Sequence, residues 1–242
     1  MDQDRDASEG LRPAEHEPFF NPVPPFALCM AGFILAIELI LQAGVYGLVG
    51  DASAVGWRAQ LIERFGFSAL EFERMMANGL VTWEKFVKLV TYPVLSSGFR
   101  EALIGSIFMV ALGKYVVERA GPFPIAVLLF GGAIVGALGY VIFLDEEAIL
   151  SGPLSLAFTL LGFYAFRQLL AAIVNGTSKI AAVWLPIFIL SIDIVLAQIL
   201  DQPDLWVARA CSLVFGFFTA LFIDWRGGFS WAIAQFRIRK FW

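Results

Sequence analysis

The residues that could do chemistry in this chain are few. A turn signal, Gly152-Pro153, opens an apolar run with Ser151 and Ser155 at its start and the small residues Gly162 and Ala165 further along. A serine hydroxyl becomes a nucleophile only when a base stands ready to take its proton. The sequence holds one histidine, His16, in an acidic segment far from that run. Without a base, Ser151 and Ser155 read as helix-capping or backbone-bonded hydroxyls. Cys29 and Cys211 lie inside apolar stretches and read as small hydrophobes, neither a disulfide nor a metal pair. No metal site and no cofactor are expected.

Charge in the wrong place is the second signal. Glu38, Glu101, Asp193 and Arg209 fall within or beside apolar runs, where an ionised group is costly and points to a function or a partner. Asp193 lies about seven residues, and Arg209 about five, inside the ends of their runs, which at 1.5 Å per residue places both roughly 8–10 Å deep. Glu101 is at a similar level. A cluster of Asp193, Arg209 and Glu101 is therefore expected, against the alternative that Glu101 and Arg209 simply reach up to interfacial water. Glu38 stands near the middle of its run with no partner evident.

The elements that must carry these residues follow from composition. Hydrophobic residues make up 59% of the 242 and charged ones 16%, with mean hydropathy +0.77. Soluble domains carry about 25% charged residues, so the chain reads as an integral membrane protein. Its net charge of −4, with basic residues spread along the chain, gives no nucleic-acid footprint. A bilayer core about 30 Å thick asks for roughly 20 apolar residues per helix. Six stretches qualify, near 26–49, 99–118, 122–144, 153–174, 180–200 and 205–224. Unpaired backbone is not tolerated in lipid, so all six are expected to be helices, giving an all-α polytopic membrane domain over 26–224.

Three segments lie outside the spans. Residues 1–25 are acidic and proline-rich, without the basic-then-apolar order of a secretory signal, and read as a disordered tail. The connection 50–98 repeats Trp57, Leu61, Phe65 and Phe72 among charged residues, the pattern of short amphipathic helices in the outer interface. Residues 225–242 mix aromatic and basic side chains, as in a tail anchored to anionic lipid. Loops 145–152 and 201–206 hold no lysine or arginine, whereas ten of the 17 basic residues fall on the opposite side. Both termini are therefore expected to be cytoplasmic. The basic residues of 50–98 (Arg58, Arg64, Arg74, Lys85, Lys88) run against that rule.

Several stretches resemble the rhomboid intramembrane serine proteases. Gly152-Pro153-Leu154-Ser155 with Gly162 resembles the family's Gly-x-Ser-x box and later glycine. Thr91-Tyr92-Pro93-Val94-Leu95-Ser96 is similar to the segment leading into the second span, and Leu112-Gly113 through Gly121 to the segment closing it. Gly131, Gly132, Gly136 and Gly139 supply the small residues of the third span. Gly56-Trp57-Arg58 is similar to the tryptophan–arginine pair of the first loop. The resemblance covers roughly 80–222 and implies a six-helix rhomboid-like fold.

The resemblance also implies where the chemistry would be. Leu154 takes the place of the nucleophilic serine and Arg209 that of the sixth-span histidine. Glu101 and Gly105 take those of the second-span histidine and asparagine that hold the oxyanion, and Ser96-Ser97 that of an earlier His-Gly pair. All these positions depart from the family's residues. Ser155 cannot replace Leu154 without a register slip, since one helical residue turns the side chain by about 100°. The expectation is a pseudoprotease that binds transmembrane clients or serves as a subunit of a larger membrane complex, in a bacterial inner membrane. The alternatives are an active serine endopeptidase with a displaced dyad and, with little support from repeats or intramembrane polar residues, a small-solute transporter.

Overall fold

A computed structural model describes residues 24–79, 82–144, 148–199 and 204–227, with side chains to Ile223 in the last stretch. The tails at 1–23 and 228–242, His16 with them, lie outside the described residues.

Turn chemistry sets the helix boundaries. Helix α1 (Pro25–Val45) starts on a proline whose missing N–H costs nothing in the first turn. The connection between α1 and the next long helix folds as α2 (Trp57–Phe65), α3 (Ala69–Asn78) and α4 (Trp83–Thr91). Ser68 caps α3 by accepting from the Glu71 amide, and Gly79 ends it at φ 65°. Helix α5 (Phe99–Ala120) stops at Gly121, φ 86°, and Pro122 begins α6 (Pro122–Phe143). Pro153 caps α7 (Leu154–Asn175), which Gly176 closes at φ 68°. Then come α8 (Lys179–Ile199), which tolerates Pro186 in its interior, and α9 (Trp206–Gly227).

Helices α1, α6, α7, α8 and α9 are each long and apolar enough to cross a membrane. Helix α5 carries Arg100 and Glu101 at one end and Lys114, Glu118 and Arg119 at the other. It qualifies only together with the segment Trp83–Val94, which meets it at 86°. The protein is an all-α polytopic membrane protein with five to six spans.

Helix α7 is the centre. It packs on α5, α6, α8 and, most extensively, α9, and its first thirteen residues are almost all buried. Small residues allow the closest approach: a Cβ on Gly162 would strike the Leu213 backbone, and one on Gly216 the Thr159 backbone. Interior hydroxyls are satisfied by main chain, with Thr159 donating to the Ser155 carbonyl at 2.9 Å, Ser212 to that of Gly132 at 2.9 Å and Tyr92 to that of Ala133 at 3.1 Å. Helix α8 is the most peripheral, burying only Pro186 and Ala197.

The segments around α2 to α4 are tied to the start of α7. Strand β1 (Phe67–Ser68) pairs antiparallel with β2 (Ile149–Leu150), Phe67 opposite Leu150. Thr91 donates to the Phe65 carbonyl at 3.0 Å, and the Gly152 amide to the Tyr92 carbonyl at 3.2 Å. The turn ahead of α7 is thereby held against the bend between α4 and α5, which positions the site.

Candidate functional site

The Gly152-Pro153 turn needs its glycine twice over. Gly152 has φ 113°, a conformation L side chains rarely adopt, and a Cβ there would collide with the Glu101 carboxylate. Gly105, one turn further along α5, lets that helix lie against Pro153. Glycines on facing elements thus bring the start of α5 and the start of α7 together, with Glu101 at the junction.

Glu101 is fully engaged. Its Oε2 accepts from the Ser97 amide at 3.0 Å and the Ser97 hydroxyl at 2.8 Å, and Oε1 from the Arg209 guanidinium at 3.2 Å. Arg209, reaching in from α9, donates through its other nitrogen to Asp193 Oδ1 on α8. All three side chains are at least 85% buried. Asp193, Arg209 and Glu101 therefore form one chain of charge across three helices. An arginine merely snorkelling to water would not be held between two acids.

Against this cluster is a cavity of about 360 Å³ bounded by α5, α7, α8 and α9. Ser97, Arg100, Glu101, Asp193 and Arg209 supply its polar lining; the remainder is apolar, with Ile104, Phe108, Leu161 and Ile189 on one side of the charges and Leu196, Leu205 and Trp206 on the other. Leu154, first residue of α7, faces the cavity. Ser155 does not line it; its hydroxyl is buried and meets that of Tyr92. Groups of three or more histidine, cysteine or acidic side chains able to hold a metal are absent among the described residues.

Ser96 belongs to a different cluster. Its hydroxyl donates to Glu38 Oε2 at 2.8 Å, turning away from its neighbour Ser97. Glu38, for which the sequence offered no partner, has several. The Arg58 guanidinium grips its carboxylate with both terminal nitrogens, at 2.7 and 2.8 Å, and Gln42 adds a third donor at 3.0 Å. Arg58 also donates to the Ser96 carbonyl at 2.8 Å. The partner that the sequence left unidentified is Arg58, which reaches in from the segment between α1 and α5 to neutralise Glu38. The signal was present in the Trp57-Arg58 pair and in Glu38 and Gln42 sharing one face of α1, but their separation along the chain hid it.

Adjacent residues Ser96 and Ser97 consequently bridge two buried charge clusters, one fastening α2 to α1 and one spanning α5, α8 and α9. The first is a structural clamp. The second borders the cavity.

A family model described as Rhomboid domain matches residues 83–226. A search of curated proteins found no match. The matched stretch runs from α4 through α9 and includes every residue lining the cavity, and on that extent the chain belongs to the rhomboid family.

Proposed function

We propose that this rhomboid protein has exchanged proteolysis for binding, and that its cavity receives transmembrane segments of client proteins or of partners in a membrane complex. Rhomboid family members are serine proteases. That chemistry needs a serine hydroxyl, a base to take its proton and donors for the oxyanion. The observation that carries the reading is Arg209, at the position implied for the histidine, held between Asp193 and Glu101. A guanidinium is no general base. Leu154 at the implied nucleophile position supports the same reading, as does the absence of any histidine other than His16.

A displaced dyad built on Ser155 gains no support, because that hydroxyl is turned from the cavity toward Tyr92. Binding is favoured by what the cavity retains: a mostly apolar lining with a few charged groups, beside the weakly packed α8. The lysine and arginine distribution supports a cytoplasmic position for both termini, in a bacterial inner membrane. The test is incubation of the purified protein with a rhomboid transmembrane substrate in lipid, followed by affinity capture. Co-purification of intact substrate is expected; cleavage products would overturn the reading.

A further inference from the structure

Helix α2 keeps an apolar face that the described residues leave partly open. None of its side chains is buried, although its first turn is fastened to α1 twice. Arg58 holds Glu38, and the Trp57 ring fills the space that Gly44 and Gly50 leave at the end of α1. Trp57, Gln60, Leu61 and Arg64 follow at helical spacing along one face. With Ile37, Ile40 and Leu41 of α1 they line a groove of about 400 Å³. Those three α1 residues stand four to eight positions before Val45, so the groove runs roughly 6–12 Å below the end of that span.

The lining is apolar except for Gln60 and Arg64, both exposed. Arg64 makes no ion pair among the described residues; its guanidinium lies 5.5 Å from the centre of the Phe65 ring. Its neighbours differ: Arg58, Lys85 and Lys88 are paired with carboxylates, and Arg74 does not line the groove. An occupant that meets both features has an apolar chain and an anionic group. We propose that the groove holds one anionic phospholipid. An acyl chain lies between Ile37, Ile40 and Leu41 on one side and Trp57 and Leu61 on the other, and the phosphate accepts from Arg64 and Gln60. A guanidinium meets phosphate with two parallel N–H groups. A zwitterionic headgroup brings its own cation and neutralises the lone arginine less well, and a free phosphate would leave the apolar walls uncovered. A transmembrane helix, about 10–12 Å across, is too wide for a groove of this volume.

The experiment is native mass spectrometry of the full chain in detergent, titrated with phosphatidylglycerol or with phosphatidylcholine of the same acyl chains. One phosphatidylglycerol is expected to be held about fivefold tighter than phosphatidylcholine, the effect of one cation beside an anionic headgroup. The basic residues of 225–242 also attract anionic lipid, so the decisive reading is a comparison of variants. Arg64→Gln should weaken the tightest-held phosphatidylglycerol about fivefold and leave phosphatidylcholine unchanged. Arg74→Gln, at an exposed cation outside the groove, should change neither. Ile40→Trp, at an exposed position on α1, should fill the groove and lower retention of both lipids. Equal retention of the two lipids by the natural chain would overturn the inference. So would an unaltered Arg64→Gln, or an equal loss in Arg74→Gln, which would assign the binding to diffuse surface charge. Unchanged retention in Ile40→Trp would place the chain elsewhere and contradict it as well. Displacement of the lipid by glycerol 3-phosphate would show a site for a free phosphate, and displacement by a single-span polyleucine peptide a helix-docking face; either result sinks the proposal.

Discussion

Removing the Arg209 guanidinium would leave Asp193 and Glu101 together, largely buried and without a shared cation. Breaking a buried pair from one side typically costs about 3–5 kcal/mol, because the remaining charge is left uncompensated. Arg209→Ala should therefore lower the thermal midpoint in mild detergent markedly, and adding Asp193→Ala should recover part of the loss. An unchanged midpoint would mean that the arginine is not held between the acids. Depth along the spans put this cation and two acids at similar levels but left open that Glu101 and Arg209 reach up to water; the ion pairs joining all three are what the structure adds. The Glu38 clamp was not legible in the sequence. Its cation, Arg58, sits in a segment whose periodicity marks an interfacial helix, and periodicity says nothing of a long side chain turned inward beneath it.

At the scale of elements, the six apolar runs of the sequence correspond to α1, α5, α6, α7, α8 and α9, with ends shifted by a few residues. The amphipathic repeats in 50–98 correspond to α2, α3 and α4. The pairing of β1 with β2 was not foreseeable, because a two-residue strand leaves no alternation to detect. The crossing of α7 and α9 rests on backbone approaching backbone at Gly162 and Gly216. Gly162→Leu should prevent that approach and yield an aggregated or protease-sensitive protein, measured by size exclusion and limited proteolysis. Outside the spans, α3 and α4 are linked by Glu71, which takes donors from Lys85 and, at 3.5 Å, Lys88. The Lys85 hydrogen bond outweighs partial burial and holds the Glu71 carboxyl below its ordinary value of 4.5. A depressed carboxyl stabilises the fold above its unfolded value, and that contribution fades as pH falls through the folded value. Amide protection across α3 and α4, corrected for intrinsic exchange, should drop below pH 4.5. The loss should be small for so exposed a pair and smaller still in high salt.

For the whole molecule, orientation and activity remain the two statements to test. Loops without lysine or arginine at 145–152 and 201–206 predict that a reporter fused after Trp242 reads as cytoplasmic and one inserted at Glu146 as external. A C-terminal reporter active on the outside would overturn that topology. The central claim, that a buried ion cluster stands where the family's chemistry is implied, is tested most directly by exposing the purified protein in lipid to a serine-directed fluorophosphonate. If no base is there to activate a hydroxyl, as proposed, the protein should remain unlabelled under conditions that label an active rhomboid. Stoichiometric labelling that disappears in Ser155→Ala would contradict the account and show an enzyme with a displaced nucleophile.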